Sequence, residues 1–262
     1  MAKAYEEIAD ELRARIRSGR LEPGDRLPSE ADLIQSTGRS GPTVQQALRV
    51  LQAEGLIEKQ HGRGTFVRRQ RVRLQRSNTR HQWEKNRARA PEGQRLATGA
   101  TEHDTGLDVD DLVFHAAYRE IEAHKDLAEA LGVEEGTALV ERNYRTRHNA
   151  EPNPFTRVTS YLIRDLVKGN PDLLDEANEP WPGGTGNQLY TVGIEIDRVE
   201  EHVTARPPTM DEAEELGLPP GTAVLVVRKT QYDTDDRVVE LSDITLPGDR
   251  TELVFTTHLE RW

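Results

Sequence analysis

The pattern of apolar and polar positions divides the chain into three stretches. In the first, Tyr5, Ile8, Leu12 and Ile16 recur at helical spacing. That predicts a helix ending near Ser18-Gly19, followed by a turn at Pro23-Gly24. Ser29-Glu30-Ala31-Asp32 reads as a cap with an acid three residues on, opening a second helix through about Ser36. Pro42 suits the first position of a third helix, because its missing N–H would be unpaired there in any case. Val44, Ala47, Leu48 and Leu51 form that helix's inward stripe, and Gly55 ends it. Leu56–Lys59 and Thr65–Val67 read as strands of a hairpin around Gln60-His61-Gly62-Arg63-Gly64.

Residues 68–89 break the pattern, with nine Lys or Arg against one Glu. They could add phosphate contacts to DNA, but read rather as a solvated linker or strand edge, because Trp83 and the alternating Val72 and Leu74 suggest partial packing. Beyond them short helices mix with β-branched strands. Asp126–Ala138 and Asp211–Ala223 match at eight of 13 positions. Each copy reads as a short helix, a glycine stop, a Gly-Thr turn and a strand (Leu139–Arg145 and Val224–Tyr232). Two copies point to a pseudo-duplicated α+β domain rather than a solenoid. Pro180–Gly186 reads as a loop, its Gly and Pro content opposing regular structure.

Composition adds a contrast between the ends. The net charge is −11 overall, yet residues 1–80 hold 16 Lys or Arg and 10 Asp or Glu. A basic head on an acidic body is the balance expected of a nucleic-acid module joined to another domain. There is no cysteine, which excludes disulfides and thiolate chemistry. No apolar run reaches the roughly 20 residues of a membrane span, and the polar start lacks a signal-peptide core, so a cytoplasmic location and no membrane partner are expected.

The third helix turns Thr43, Gln45, Gln46, Arg49 and Gln52 outward. Gln can pair with adenine, a Thr methyl can touch thymine, and Arg can reach guanine or phosphate. An ordinary solvated face would look the same, but a glycine-flanked Arg63 on a hairpin directly afterwards makes a wing. The runs Pro23–Leu33, Thr43-Val44, Ala47-Leu48, Leu51, Glu54–Ile57 and Gln60–Val67 resemble the GntR family of bacterial regulators. The resemblance implies operator DNA contacts at Ser29, Glu30, Ser40, Thr43, Gln45, Gln60, His61, Gly62 and Arg63. Gly41 and Gln45 stand where the family pattern commonly has arginine, so the operator is expected to differ from the usual one, with Arg39 or Arg49 compensating; Gln46 beside them is a further expected DNA contact.

From about Thr98 onward the chain resembles the UTRA effector domain of the HutC-type branch. The supporting runs include Leu127–Gly132, Thr159–Leu162, Gly183-Gly184, Glu201–Arg206, Pro220–Thr222, Val239-Glu240 and Pro247–Arg250. The resemblance implies an antiparallel sheet with helices, like chorismate lyase, that binds a small metabolite and forms a homodimer. It places effector contacts at Arg142, Arg145, Arg147, Ser160, Gly183, Gly184 and Glu240. Arg suits phosphate or carboxylate, although surface ion pairing in an acidic domain would equally account for these arginines.

The expected organisation is α+β: a winged helix-turn-helix over 1–68, a basic linker over 69–97 and a UTRA domain over 98–262. The expected function is a DNA-binding transcriptional repressor controlled by a small-molecule effector. The alternatives are a ligand-independent dimeric repressor and a chorismate-lyase-like enzyme. No metal-ligand spacing, P-loop, nucleophile elbow or thiol nucleophile supports catalysis, so no catalytic residue, metal or cofactor is expected.

Overall fold

A computed structural model describes residues 3–60, 62–69 and 71–260. The chain forms two compact units. The first comprises residues up to 71 together with 207–223; the second comprises 72–206 and 224 onward.

The first unit begins with α1 (Ala4–Arg17), α2 (Glu30–Thr37) and α3 (Gly41–Ala53), followed by the hairpin of β1 (Ile57–Gln60) and β2 (Gly64–Val67). The stripes read from the sequence meet in one core, where Ile8, Leu12, Leu33, Val44, Leu51 and Ile57 are buried. Full burial of each large aliphatic side chain stabilises by about 1.5–3 kcal/mol. Ser29 caps α2 in a capping box: its hydroxyl accepts from the Asp32 amide, and the Asp32 carboxylate accepts from the Ser29 amide. The Pro23-Gly24 turn leads into a segment that bridges to the two-stranded hairpin at Arg26 and Phe66, with Gly24 N donating to Val67 O and Leu27 N to Thr65 O.

In the second unit the expected linker is folded. It carries β3 (Leu74–Ser77), α4 (Arg80–Ala88) and α5 (Glu92–Leu96). Leu74 is buried, and the Trp83 ring stacks on His103 at 4.2 Å. Two of its basic residues, Arg76 and Arg80, are buried in ion pairs with carboxylates brought from elsewhere in the unit, while Arg73 and Arg89 stay exposed.

Then follow α6 (Ala100–Thr105), β4 (Leu112–Glu122), α7 (Lys125–Leu131), β5 (Ala138–His148), β6 (Thr156–Ile163), α8 (Arg164–Val167), α9 (Gly184–Thr191) and β7 (Ile196–Arg206). After the excursion that carries α10 (Met210–Glu215), the chain returns as β8 (Val224–Asp233), β9 (Val238–Pro247) and β10 (Thr251–Val254). Six strands make one antiparallel sheet in the order β4-β5-β6-β9-β8-β7. β10 pairs in parallel with β3. α7 packs Leu127, Ala128 and Leu131 against Leu139 and Leu241 of the sheet.

Two expectations need correction. α9 begins inside the stretch read as a loop: Gly183, at φ 100°, is its N-cap, and the helix runs from Gly184. The two matching segments also part company. α7 stays with the sheet, whereas α10 belongs to the first unit. There Arg71 donates to the carbonyls of Leu216 (2.9 Å) and Gly217 (3.3 Å), and Arg68 also donates to Gly217. Carbonyls at a helix C-terminus lack intrahelical partners and attract cations.

Candidate DNA-reading face and effector cavity

On the first unit, α3 has Gln45 and Arg49 exposed and Thr43 and Gln46 partly so. These side chains are held by neighbours. Gln45 Nε2 donates to Glu30 at 3.0 Å, leaving its second N–H and the amide oxygen. Arg49 donates to Gln46 Oε1 through both Nε and Nη2, at 3.1 and 2.8 Å. Ser40 and Thr43 share a hydroxyl hydrogen bond of 2.8 Å at the start of the helix, beside Gly41. Arg39 pairs with Glu7, and Lys59 lies 3.7 Å from Glu30.

The hairpin tip exposes Gly62 and Arg63, with the Arg63 guanidinium 5.9 Å from the Phe66 ring centre. Gln60 donates to Glu58. Gly64 has φ 123°, and a Cβ there would lie 2.8 Å from Arg26 Nε, so only glycine fits. His61 lies outside the described residues. The expected DNA positions Glu30, Ser40, Gly41, Thr43, Gln45, Gln46 and Arg49 therefore cluster on α3 and the start of α2, with Gln60, Gly62 and Arg63 on the hairpin. Ser29 is engaged as a helix cap.

Within the second unit, one sheet face, α4 and the start of α9 line a half-open cavity of about 650 Å³. That is ample for a small metabolite. Ser160, Gly183, Gly184 and Glu240 line it. Arg142 is fully buried beside it. Its Nη1 donates to Gln188 (2.6 Å), and Nη2 donates to Ser160 (2.7 Å), Glu240 (3.0 Å) and Thr185 (3.3 Å). Ser160 passes its own proton to Glu240 at 2.6 Å, and Lys229 meets the other Glu240 oxygen at 3.0 Å.

Burial works against charge on Arg142, but Tyr144, Glu240 and Tyr118 outweigh it and hold the guanidinium above its ordinary pKa. Burial likewise opposes ionised Glu240, yet Lys229 and Arg142 bring its carboxyl below the usual range. Glu179 accepts from Tyr118, Tyr144 and Gln188. Burial, with the Glu179 charge beside it, pushes the Tyr118 phenol up to about 12. Gly183 is fixed by crowding, since a Cβ would come within 2.6 Å of Asn187 Cβ and 2.9 Å of Arg95 Cδ.

Arg145 and Arg147 are not among the cavity's lining. Strand alternation puts them on the opposite face of β5 from Arg142, Tyr144 and Thr146. There Arg145 donates to the carbonyls of Tyr144 and Val158, and Arg147 to those of His148, Asn149 and Glu151.

The sequence reading missed the wall opposite the sheet. Arg76, Arg80, His81, Glu84 and Arg87 line the cavity from β3 and α4. The i, i+4 pair Arg80–Glu84 (3.0 Å) was the available signal. Arg76 pairs with Glu201, and Arg80 with Asp104. His81 lies 3.3 Å from Glu201 and 3.6 Å from Glu84, at ion-pair distance. Burial opposes charge on both sides here. Even so, Glu201 and Glu84 raise the His81 pKa, while His81 and Arg76 bring the Glu201 carboxyl down to about 2. Among the described residues no cluster of three His, Asp or Glu is arranged to hold a metal ion. No helix there is long and apolar enough to cross a membrane.

Comparison with known proteins agrees with this geometry. Residues 4–67 match the gntR family of bacterial regulatory proteins, and residues 115–252 match the UTRA domain. An HTH-type transcriptional regulator of Streptomyces coelicolor is 30% identical, over 92% of this chain and 87% of its own length. The HTH-type transcriptional repressor NagR of Bacillus subtilis is 28% identical, over 98% of this chain and 95% of its own. A solved GntR-family transcriptional regulator superposes with a TM-score of 0.62 at 27% identity, covering 98% of both chains. With a winged helix at its head and a UTRA domain over more than half its length, the chain belongs to the GntR family of bacterial transcription regulators.

Proposed function

We propose that this regulator is a cytoplasmic, homodimeric repressor that places two winged helices on a pseudo-palindromic operator and changes its DNA affinity when a small molecule fills the UTRA cavity. The observation that carries the DNA half is the outer face of α3. Thr43, Gln45, Gln46 and Arg49 stand there together, with Arg63 exposed on the hairpin that follows. In this reading α3 enters the major groove, where Gln45 and Gln46 meet base edges and Arg49 a base or phosphate. Arg63 lies against the adjacent backbone. Glu30 accepts from the amide nitrogen of Gln45 and so steadies that side chain, which keeps an N–H and its oxygen for the bases. The cavity of metabolite size favours effector control over a domain that only dimerises. Coupling between the two sites is on the order of 1–3 kcal/mol.

Electrophoretic mobility shifts with duplexes from the protein's own genomic neighbourhood test this reading. Wild type is expected to retard one of them at low ionic strength. Arg63→Ala is expected to weaken binding to all duplexes and to flatten the log–log salt dependence by about 0.9 if one phosphate contact is lost. Gln45→Ala is expected to relax sequence preference. Retention of full affinity and preference by both variants would remove α3 and the wing from the interface.

A further inference from the structure

The outer face of α3 carries an indication of which base it reads. Resting on the DNA-binding reading above, we infer that Glu30 positions Gln45 as an adenine reader, so that each operator half-site holds adenine, and not guanine, opposite Gln45.

Hydrogen-bond polarity decides the base. In the major groove guanine shows two acceptors, N7 and O6, whereas adenine shows one acceptor, N7, and one donor, the N6 amino group. The Gln45 amide has two N–H groups and one oxygen. Glu30 Oε2 takes one of those N–H groups at 3.0 Å. One donor and one acceptor remain, which is the complement of adenine. Guanine needs both N–H groups, so reading it breaks the bond to Glu30. It also brings the guanine acceptors toward a carboxylate that can only accept.

The surroundings hold the pair in this state. Glu30 is the first residue of α2 and Gln45 lies at the start of the second turn of α3, so two helices fix the two ends of the bond. Gln45 is exposed and Glu30 only partly so, in keeping with the amide standing outermost. Lys59, from β1, lies 3.7 Å from Glu30 Oε1 and partly offsets a charge that DNA phosphates would otherwise repel. Positions 41 and 49 flank Gln45 at i−4 and i+4 on the same helix face. Gly41 places no side chain over the amide. Arg49, the neighbour best suited to guanine, has Nε and Nη2 engaged by Gln46.

Selection of binding sites from random duplex DNA by the full-length protein, followed by sequencing, reads the preference at every position. Wild type is expected to enrich adenine over guanine at one position of each half-site by about 5- to 150-fold, the range for one bidentate pair. Gln45→Ala should erase the preference at that position and keep it elsewhere. Glu30→Ala frees the second N–H, so the adenine-to-guanine ratio there should fall by about 2- to 10-fold. A merely structural loss would weaken binding without moving this ratio. A second measurement needs no variant for its first arm. Replacing that adenine with 7-deazaadenine, which removes only the N7 acceptor, should weaken wild-type binding by about 2- to 10-fold. It should leave Gln45→Ala binding unchanged. Guanine enriched at the Gln45-dependent position would overturn the inference. So would an unaltered ratio in a folded Glu30→Ala protein, or a change confined to a different base pair. A Gln45→Ala profile identical to wild type, with Arg63→Ala still weakening binding, would sink the adenine reading and leave DNA binding by the winged helix standing. Enrichment of no sequence would take both readings down together.

Discussion

Replacing Arg142 with methionine tests the buried polar centre beside the cavity. Arg142 is 0% exposed and donates to Gln188, Ser160, Thr185 and Glu240. Removing one partner from a buried ion pair typically costs about 3–5 kcal/mol, because the other charge is left without compensation. Here Lys229 still holds the second oxygen of Glu240, so the lower end applies, about 3 kcal/mol. The cost should also depend on pH. In the wild type the Glu240 carboxyl sits below its unfolded value, so its contribution is present above roughly pH 4.3 and is lost as pH falls through the folded pKa. Without Arg142 the burial penalty weighs more heavily, and the folded pKa of Glu240 rises. Acidification then harms the variant less than the wild type, and the gap between them narrows below about pH 5. Urea unfolding followed by fluorescence suits the measurement, since Trp83 and Trp181 both lie in the second unit. A loss under about 1 kcal/mol at pH 7, or a gap that stays constant down to pH 4.5, would refute the reasoning.

Other perturbations probe separate parts of the chain. Leu51→Ala removes a fully buried side chain from the centre of the winged helix and should cost about 2–5 kcal/mol, seen as faster hydrogen exchange across α3. Gly183→Ala meets both a positive φ and a contact at 2.6 Å, and should lower the melting temperature of the second unit with a cost of about 1–3 kcal/mol. His81 has a raised folded pKa, so its pairing with Glu201 and Glu84 contributes fully below about pH 6.5 and is lost as pH rises beyond that through the raised folded pKa. His81→Gln should therefore flatten the decline in second-unit stability from slightly acid to alkaline pH; an unchanged slope in urea titrations would show that His81 does not carry it.

The winged helix was legible in the sequence because its signals are local. The stripe Val44–Ala47–Leu48–Leu51, the Ser29 cap and the glycine tip each work within a few residues, and each element ends within a residue or two of its expected limit. The cavity was only half legible. Ser160, Gly183, Gly184 and Glu240 were found through family resemblance, but the wall from β3 and α4 looked like linker. Its cations make sense only beside Glu201 and Asp104, which lie far along the chain. Arg145 and Arg147 show a different limit. Strand periodicity alone separates them from Arg142, yet nothing local says which face of β5 turns toward the cavity. The matching copies at 126 and 211 misled for a related reason, since like sequence forms like helices, while the acceptors of Arg68 and Arg71 decide where the second one docks.

That second copy changes what counts as a detachable head. The backbone passes from one unit to the other at 71/72, again at 206/207 and back at 223/224, so three covalent threads join them rather than one. A fragment cut after residue 71 would keep all three helices and the wing, yet strip Arg68 and Arg71 of their acceptors at Leu216 and Gly217. Anyone building a chimaera with a reporter ligand domain should carry residues 207–223 across as part of the graft. A swap at a single junction pairs each head with a foreign strap.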